Sequence, residues 1–239
     1  MKAIILAAGI GLRLGPLTKS TPKCLLRIDG VCIIDRLLQG LADIGIGEVV
    51  IVVGYRANEI IEHIKNNLLG LDVRFVFNDL YESTNNIYSL WLARAEFDGG
   101  FIQIDSDVVL EQDILERLAH CAHPTNLVID GSVQLSEEEM KVKLDKNGTV
   151  AALSKGLRVE ESDGESIGVA RISAEDTQSL SLILDRLVSD GRVNEYYETA
   201  YQELIRGHTS FGALDIQGSK WIEIDTQSDF ETAKAMFAG

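Results

Sequence analysis

The chain has 239 residues, enough for one large α/β domain with a full core or at most two small ones, and a single domain over 1–239 is expected. Its 22 lysines and arginines against 37 acidic residues leave a net charge of −15, which excludes an extended nucleic-acid footprint and requires local cations or a metal to hold any anionic ligand. No apolar run reaches membrane-span length, Met1 leads straight into an apolar strand without a signal-peptide pattern, and Cys24, Cys32 and Cys121 lack C-x-x-C spacing; a cytoplasmic protein with reduced thiols, no membrane partner, no disulfide framework and no zinc motif is expected.

Met1 to Leu6 reads as a buried parallel strand. It runs into Ala7-Ala8-Gly9-Ile10-Gly11, whose small side chains let backbone N–H groups approach an anion closely, and Arg13 and Lys23 add fixed positive charge. The glycines at 9, 11 and 15 miss the dinucleotide fingerprint by one residue, and no G-K-[ST] closes the loop as a P-loop would. From Val31 to Gly45, Ile33, Ile34, Leu37, Leu38, Leu41 and Ile44 mark one buried helical face. Val49 to Val53 is a β-branched strand, a helix is expected from Ala57 to Leu69, and Val73 to Phe77 is a third strand ending at Asn78-Asp79. This alternation predicts a doubly wound, mostly parallel Rossmann-like α/β sheet, with ligands outside the carboxyl ends of its strands.

In Tyr81 to Leu92, Thr84, Asn85 or Asn86 could cap a helix running to Glu96, and the same amides could instead read a base edge, since one amide offers both donor and acceptor. Phe101 to Ile104 is a buried strand ending in Asp105-Ser106-Asp107, a hard-oxygen pair suited to Mg²⁺. An amphipathic helix over Glu111 to Cys121 and a strand over Asn126 to Ile129 close a nucleotide-binding half at residue 130. The half over 131–239 begins with a solvated acidic run at Glu137-Glu138-Glu139. Lys141 to Asp145 and Thr149 to Leu153 then form a hairpin around Lys146-Asn147-Gly148, expected to cover the site. Helices follow over Glu175 to Asp190 and Glu195 to Arg206. The second carries Tyr196, Tyr197 and Tyr201, which read first as packing residues, with Tyr197 the candidate acceptor contact. Phe211 to Ile216 and Lys220 to Ile224 are closing strands, and Thr226 or Ser228 caps the last helix.

The segment from Leu6 to Lys23 resembles the signature of the sugar-phosphate nucleotidylyltransferase superfamily, LAAGxGxRLxPLTxxxPKxL. The resemblance implies that Leu6, Ala7, Ala8, Gly9 and Gly11 wrap the triphosphate of an incoming nucleotide and that Arg13 and Lys23 contact its phosphates. Asn85-Asn86-Ile87-Tyr88-Ser89-Leu90 resembles the N-N-x-Y-S-L stretch of phosphocholine cytidylyltransferases, a CTP-using branch, which implies that Asn85, Asn86 and Ser89, with Asn78, lie near the nucleotide. In the same family a strand-end aspartate binds metal; by alignment that is Asp107, and Asp105 departs from the commonest pattern as either a support or a substrate contact. Trp221 to Asp229 resembles the terminal W-x-E-I-D-T-x-x-D segment, which implies Asp225 as the second metal ligand. By the same resemblance Lys155 contacts the acceptor phosphate, and Glu165 and Gly168 flank the acceptor.

The implied activity is Mg²⁺-dependent transfer from CTP to a small phosphomonoester or phosphonate such as phosphocholine, 2-aminoethylphosphonate or inositol 1-phosphate, with release of pyrophosphate, by a monomer or homodimer. Glu139-Met140-Lys141 stands where phosphocholine enzymes carry aromatics, so the acceptor stays open. A hexose-1-phosphate uridylyl- or thymidylyltransferase shares the signature. A D-x-D glycosyltransferase would leave Arg13 and Lys23 without a purpose.

Overall fold

In the computed structural model, which describes residues 1–238, the apolar runs fold as strands and the amphipathic stretches between them as helices. β1 (Lys2–Ala7) enters the glycine loop, followed by the single turn α1 (Pro16–Lys19) and a 3₁₀ turn at Lys23–Leu25. A small antiparallel pair, β2 (Arg27–Ile28) and β3 (Val31–Cys32), precedes α2 (Ile33–Asp43), β4 (Glu48–Val53), α3 (Ala57–Lys65) and β5 (Asp72–Phe77). Next come α4 (Asn86–Leu92), β6 (Phe101–Asp105), β7 (Val108–Leu110), α5 (Gln112–His120) and β8 (Asn126–Asp130). The rest of the chain supplies β9 (Lys141–Leu144), β10 (Val150–Ser154), β11 (Gly164–Ile172), α6 (Thr177–Ser189), α7 (Glu198–Arg206), β12 (Gly212–Asp215), β13 (Trp221–Glu223) and α8 (Gln227–Met236).

The central path of the nine-stranded sheet is β10-β9-β11-β6-β1-β4-β5. β6, β1, β4 and β5 are mutually parallel, as the strand–helix alternation demands. The second half is mixed instead: β11 runs antiparallel to β6, β8 and β9, while β12 pairs in parallel with β8. Every residue of β1 is buried because both faces are covered. Ile5, Ile51 and Ile104 pack on one face under α2, α3 and α5; Ile4, Val50 and Val52 pack on the other with side chains of α4, α6 and α7. Each fully buried isoleucine contributes roughly 1.5–3 kcal/mol by leaving water. Register sets Leu6 opposite both Val52 and Asp105, so the carboxyl ends of β1, β4 and β6 form one edge beside the glycine loop.

Several expectations shift. α3 ends at Lys65 rather than Leu69: Leu69 and Gly70 both have φ near +50° to +80°, which a right-handed helix does not admit. α7 starts at Glu198, after both Tyr196 and Tyr197. The β9–β10 hairpin forms as read but extends the edge of the main sheet through β9 and β11 instead of roofing the site. The acidic run before it is a solvated loop whose backbone turns around the fully buried Lys141, with Nζ donating to the carbonyls of Ser136, Glu137 and Glu139.

Candidate active site

A cavity of about 530 Å³ opens at the carboxyl edge of the parallel strands, between the glycine loop, the start of α4 and the ends of β6 and β13. Gly11 holds φ +69°, and a side chain there would meet Thr18 Cγ2 at 3.2 Å; a Cβ on Gly9 would meet nothing within 4 Å. Gly11 therefore serves the turn, and Gly9 leaves the loop backbone open toward a ligand. Thr18 Oγ1 donates to the Gly11 carbonyl at 2.9 Å, and Tyr55 braces both ends, its N–H on the Ala8 carbonyl and its hydroxyl on that of Thr18.

Lys23 lies deeper, at 9% exposure, with Nζ 2.7 Å from Asp107 Oδ2 and 2.7 Å from Asp225 Oδ1. Burial alone would lower this ammonium, but the two aspartates outweigh it and hold Lys23 above the ordinary lysine value. Arg13, largely exposed, reaches the other oxygen of Asp225 at 2.5 Å. Asp107 and Asp225 meet because β13 pairs antiparallel with β7, and the Ile224 N–H donates to the Asp107 carbonyl. Thr226 then caps α8 in a reciprocal capping box with Asp229, whose carboxylate also accepts from the Asp225 N–H at 3.1 Å.

Glu223 completes an acidic group: one carboxylate oxygen from each of Asp107, Glu223 and Asp225 lies within 4.8 Å of the others. Enclosure and then the charges of Asp107 and Asp225 raise the Glu223 carboxyl; since the residue stays open to solvent, the charge repulsion is the cause that matters. Asp105 is different. Its Oδ1 accepts from Gln103 Nε2 and its Oδ2 from the Tyr197 hydroxyl, each at 3.0 Å, and burial with Asp107 and Glu198 nearby pushes it well above the usual carboxylate range. Gly168, at φ +76°, passes so close that a Cβ would sit 2.9 Å from Asp105 Oδ2.

Residues 3–166, which carry the small-residue loop, both cations and Asp107, match the family pattern of the MobA-like NTP transferase domain. The chain belongs to this family. Among full-length relatives of this NTP transferase, CTP:phosphoglutamine cytidylyltransferase of Campylobacter jejuni is 31% identical, with 97% of this chain and 98% of that protein covered. Choline-phosphate cytidylyltransferase of Streptococcus pneumoniae is 42% identical over 117 residues, covering 49% of each chain. The solved structure of CTP:phosphocholine cytidylyltransferase from Streptococcus pneumoniae superposes with a TM-score of 0.80 at 27% identity, covering 98% of both chains.

Of the residues singled out in the sequence, Leu6, Ala7, Ala8, Gly9, Gly11, Arg13, Lys23, Asn78, Asn85, Asn86, Ser89, Asp105, Asp107 and Asp225 all line the cavity of this NTP transferase. The Asn78 amide is also structural: it donates to Ser89 Oγ at 3.1 Å and accepts from the Leu80 N–H, fastening α4 to the end of β5. Asn85 is the cap of α4, and Asn86 Oδ1 accepts from the Tyr197 N–H. Tyr197 itself does not reach the cavity; it is fully buried beneath Asp105, and its neighbour Tyr196 lines the wall. The two rings diverge because the chain turns into α7 at this point, sending one inward and one outward. Lys155 does not line the cavity; its Nζ stands 4.8 Å from the ring centroid of Tyr196, which does. Glu165 and Gly168 lie outside the wall formed by the described residues. Gly168 supports Asp105 from behind, and Glu165 is buried on β11, where enclosure and then the charges of Glu139 and Asp130 raise its carboxyl to about 7. Glu223 and Tyr196 also line the cavity. The Glu223-x-Asp225 spacing, which puts both side chains on one face of an extended segment, was the available signal for the first.

Proposed function

We propose that this NTP transferase is a Mg²⁺-dependent cytidylyltransferase that joins CTP to a small phosphomonoester or phosphonate and releases pyrophosphate. The observation that carries the reading is the Lys23 ammonium bridging Asp107 and Asp225 at the mouth of an open glycine loop. The similarity to cytidylyltransferases over nearly the whole chain supports CTP as the nucleotide.

The acid group fits a hard cation. It offers only carboxylate oxygens, and Asp107 Oδ1 is buried with no hydrogen-bond partner among the described residues. Asp107 and Asp225, with Glu223 beside them, would hold Mg²⁺, which when bound supplies positive charge against the phosphates of the nucleotide. The backbone N–H groups from Ala8 to Gly11 would receive the phosphates. Arg13 and Lys23 steady the departing pyrophosphate, and Lys23 has three donors with which to exchange a carboxylate oxygen for a phosphate oxygen. Asn85 and Asn86 sit where amides can meet the base.

No protein nucleophile is required. An acceptor phosphate, with a second pKa of roughly 6, is already largely dianionic at neutral pH and attacks the α-phosphorus directly. The chain contributes positioning and charge stabilisation, with Lys155, next to the wall residue Tyr196, orienting the acceptor. The acceptor class is a small phosphorylated compound: phosphocholine, phosphoglutamine, 2-aminoethylphosphonate or inositol 1-phosphate. A cytoplasmic monomer or homodimer, acting without nucleic acid or membrane, completes the proposal. Its test is pyrophosphate release with CTP and Mg²⁺ across those acceptors and glucose 1-phosphate; release with none of them overturns it.

A further inference from the structure

A second group of ligating side chains converges against the 3₁₀ turn that carries Lys23. Cys32 immediately precedes α2, Asp35 lies in the first turn of that helix, and His63 lies in the last turn of α3. One Sγ, one carboxylate oxygen and one imidazole nitrogen from these three lie within 4.8 Å of one another. His63 Nε2 stands 2.7 Å and 2.9 Å from the two Asp35 oxygens, while Cys32, at 2% exposure, points its Sγ at the Leu25 carbonyl at 3.4 Å. Asp35, alone of the three, also lines a separate cavity of about 520 Å³, together with Gln39, Asn67 and Phe237, which gives its carboxylate access to solvent.

We propose that Cys32, Asp35 and His63 form a binding site for a borderline-soft divalent cation of the zinc class, distinct from the oxygen-only group of Asp107, Glu223 and Asp225. The donor set decides the class: thiolate and imidazole suit zinc or its neighbours and not Mg²⁺ or Ca²⁺. The scale of the cluster agrees. Around a tetrahedral ion, ligand atoms about 2.0–2.3 Å from the metal lie about 3.3–3.8 Å apart, so three donors already within 4.8 Å of one another need shifts on the order of 1 Å to take those places. The charge closes too, because a dication against one thiolate and one carboxylate is neutral, which a mostly buried position tolerates. On binding, the Cys32 S–H bond breaks, its proton leaves to solvent and a sulfur–metal bond forms. His63 Nε2, which donates its proton to Asp35 in the metal-free protein, loses that proton to solvent while Nδ1 takes one up, so the still neutral imidazole gives its Nε2 lone pair; Asp35 gives one oxygen, and no redox change occurs. Water from the cavity takes the fourth position. The ion would tie α2 to α3 and replace the thiol's hydrogen bond to Leu25, in the turn that presents Lys23.

The test is titration of metal-free full-length protein with Co²⁺, followed by absorbance. One equivalent should give intense visible bands of a four-coordinate ion and a near-ultraviolet thiolate-to-cobalt charge-transfer band, both bleached by Zn²⁺. Cys32→Ser should abolish the near-ultraviolet band, Cys121→Ser should keep it, and His63→Gln should weaken Co²⁺ binding about tenfold or more, the scale on which even outer partners of a ligand act. Co²⁺ held at Asp107, Glu223 and Asp225 has no sulfur to give that band, so the two sites are told apart. Absence of the band in the wild type, its survival in Cys32→Ser, or unchanged affinity in His63→Gln overturns the proposal. His63 is only partly buried, so its variant keeps the test valid if Cys32→Ser does not fold.

Discussion

Lys23 stands between Asp107 and Asp225 at hydrogen-bond distance from both, and the chemistry proposed for the site depends on that position. Lys23→Ala is expected to lower kcat/KM for pyrophosphate release by roughly 10²–10³-fold, the usual loss when one preorganised charge-stabilising donor is removed. Lys23→Arg should restore little, because a planar guanidinium cannot sit as a point charge between two carboxylates. Asp225→Asn should cost at least as much, and near-normal turnover in that variant would remove Asp225 from the site. Glu198 gives a pH test. It is buried at the start of α7 with Oε2 unpartnered among the described residues, and burial raises its carboxyl to about 7, with Lys155 opposing. Since the folded value lies above the unfolded one, this residue's contribution is complete below about pH 4 and is lost as pH rises toward 7. Glu198→Gln should therefore melt higher than wild type above pH 7, by an amount on the order of 3 kcal/mol, with the advantage fading toward pH 4. An advantage independent of pH would show that Glu198 is not held neutral.

Two elements carry the precision of the site. β11 passes Asp105 at Gly168, where φ is +76° and a Cβ would come within 2.9 Å of the carboxylate. Gly168→Ala should cost about 1–3 kcal/mol, visible in denaturant unfolding, and should disturb Asp105 and its bond from Tyr197. At the other end of the site, the capping box of α8 holds the backbone beside Asp225. Thr226→Ala should cost about 1 kcal/mol, a melting shift of roughly 2–4 °C in a chain of this size, and should lower activity through Asp225. Legibility differs between such elements for physical reasons. β1 and β4 announced themselves because a strand covered on both faces is apolar throughout, and the Asn147-Gly148 turn announced its hairpin. β11 did not: its antiparallel insertion between β6 and β8 is a matter of pairing, which local periodicity does not encode. The inward and outward choice between Tyr197 and Tyr196 likewise depends on where α7 begins, a boundary three residues later than the pattern suggested.

At the scale of the molecule, a chain of net charge −15 would need a local arrangement to hold an anionic nucleotide, and Arg13, Lys23 and the acid group proposed to take a cation stand together at one edge of the sheet. The loop and its cations were legible because they are contiguous in sequence. Glu223 was legible only as a spacing, and the Cys32, Asp35 and His63 cluster was invisible, since only the tertiary structure brings His63 of α3 to the start of α2, where Cys32 and Asp35 lie. The proposed reaction is tested by pyrophosphate release from wild-type protein with Mg²⁺ and the acceptor panel, compared among CTP, UTP, GTP and dTTP. Acceptor-dependent release of pyrophosphate with CTP in preference to the others, abolished in Asp225→Asn, is expected of a CTP-dependent transferase. Preference for UTP or dTTP, or departure of a nucleoside diphosphate in place of pyrophosphate, would contradict it.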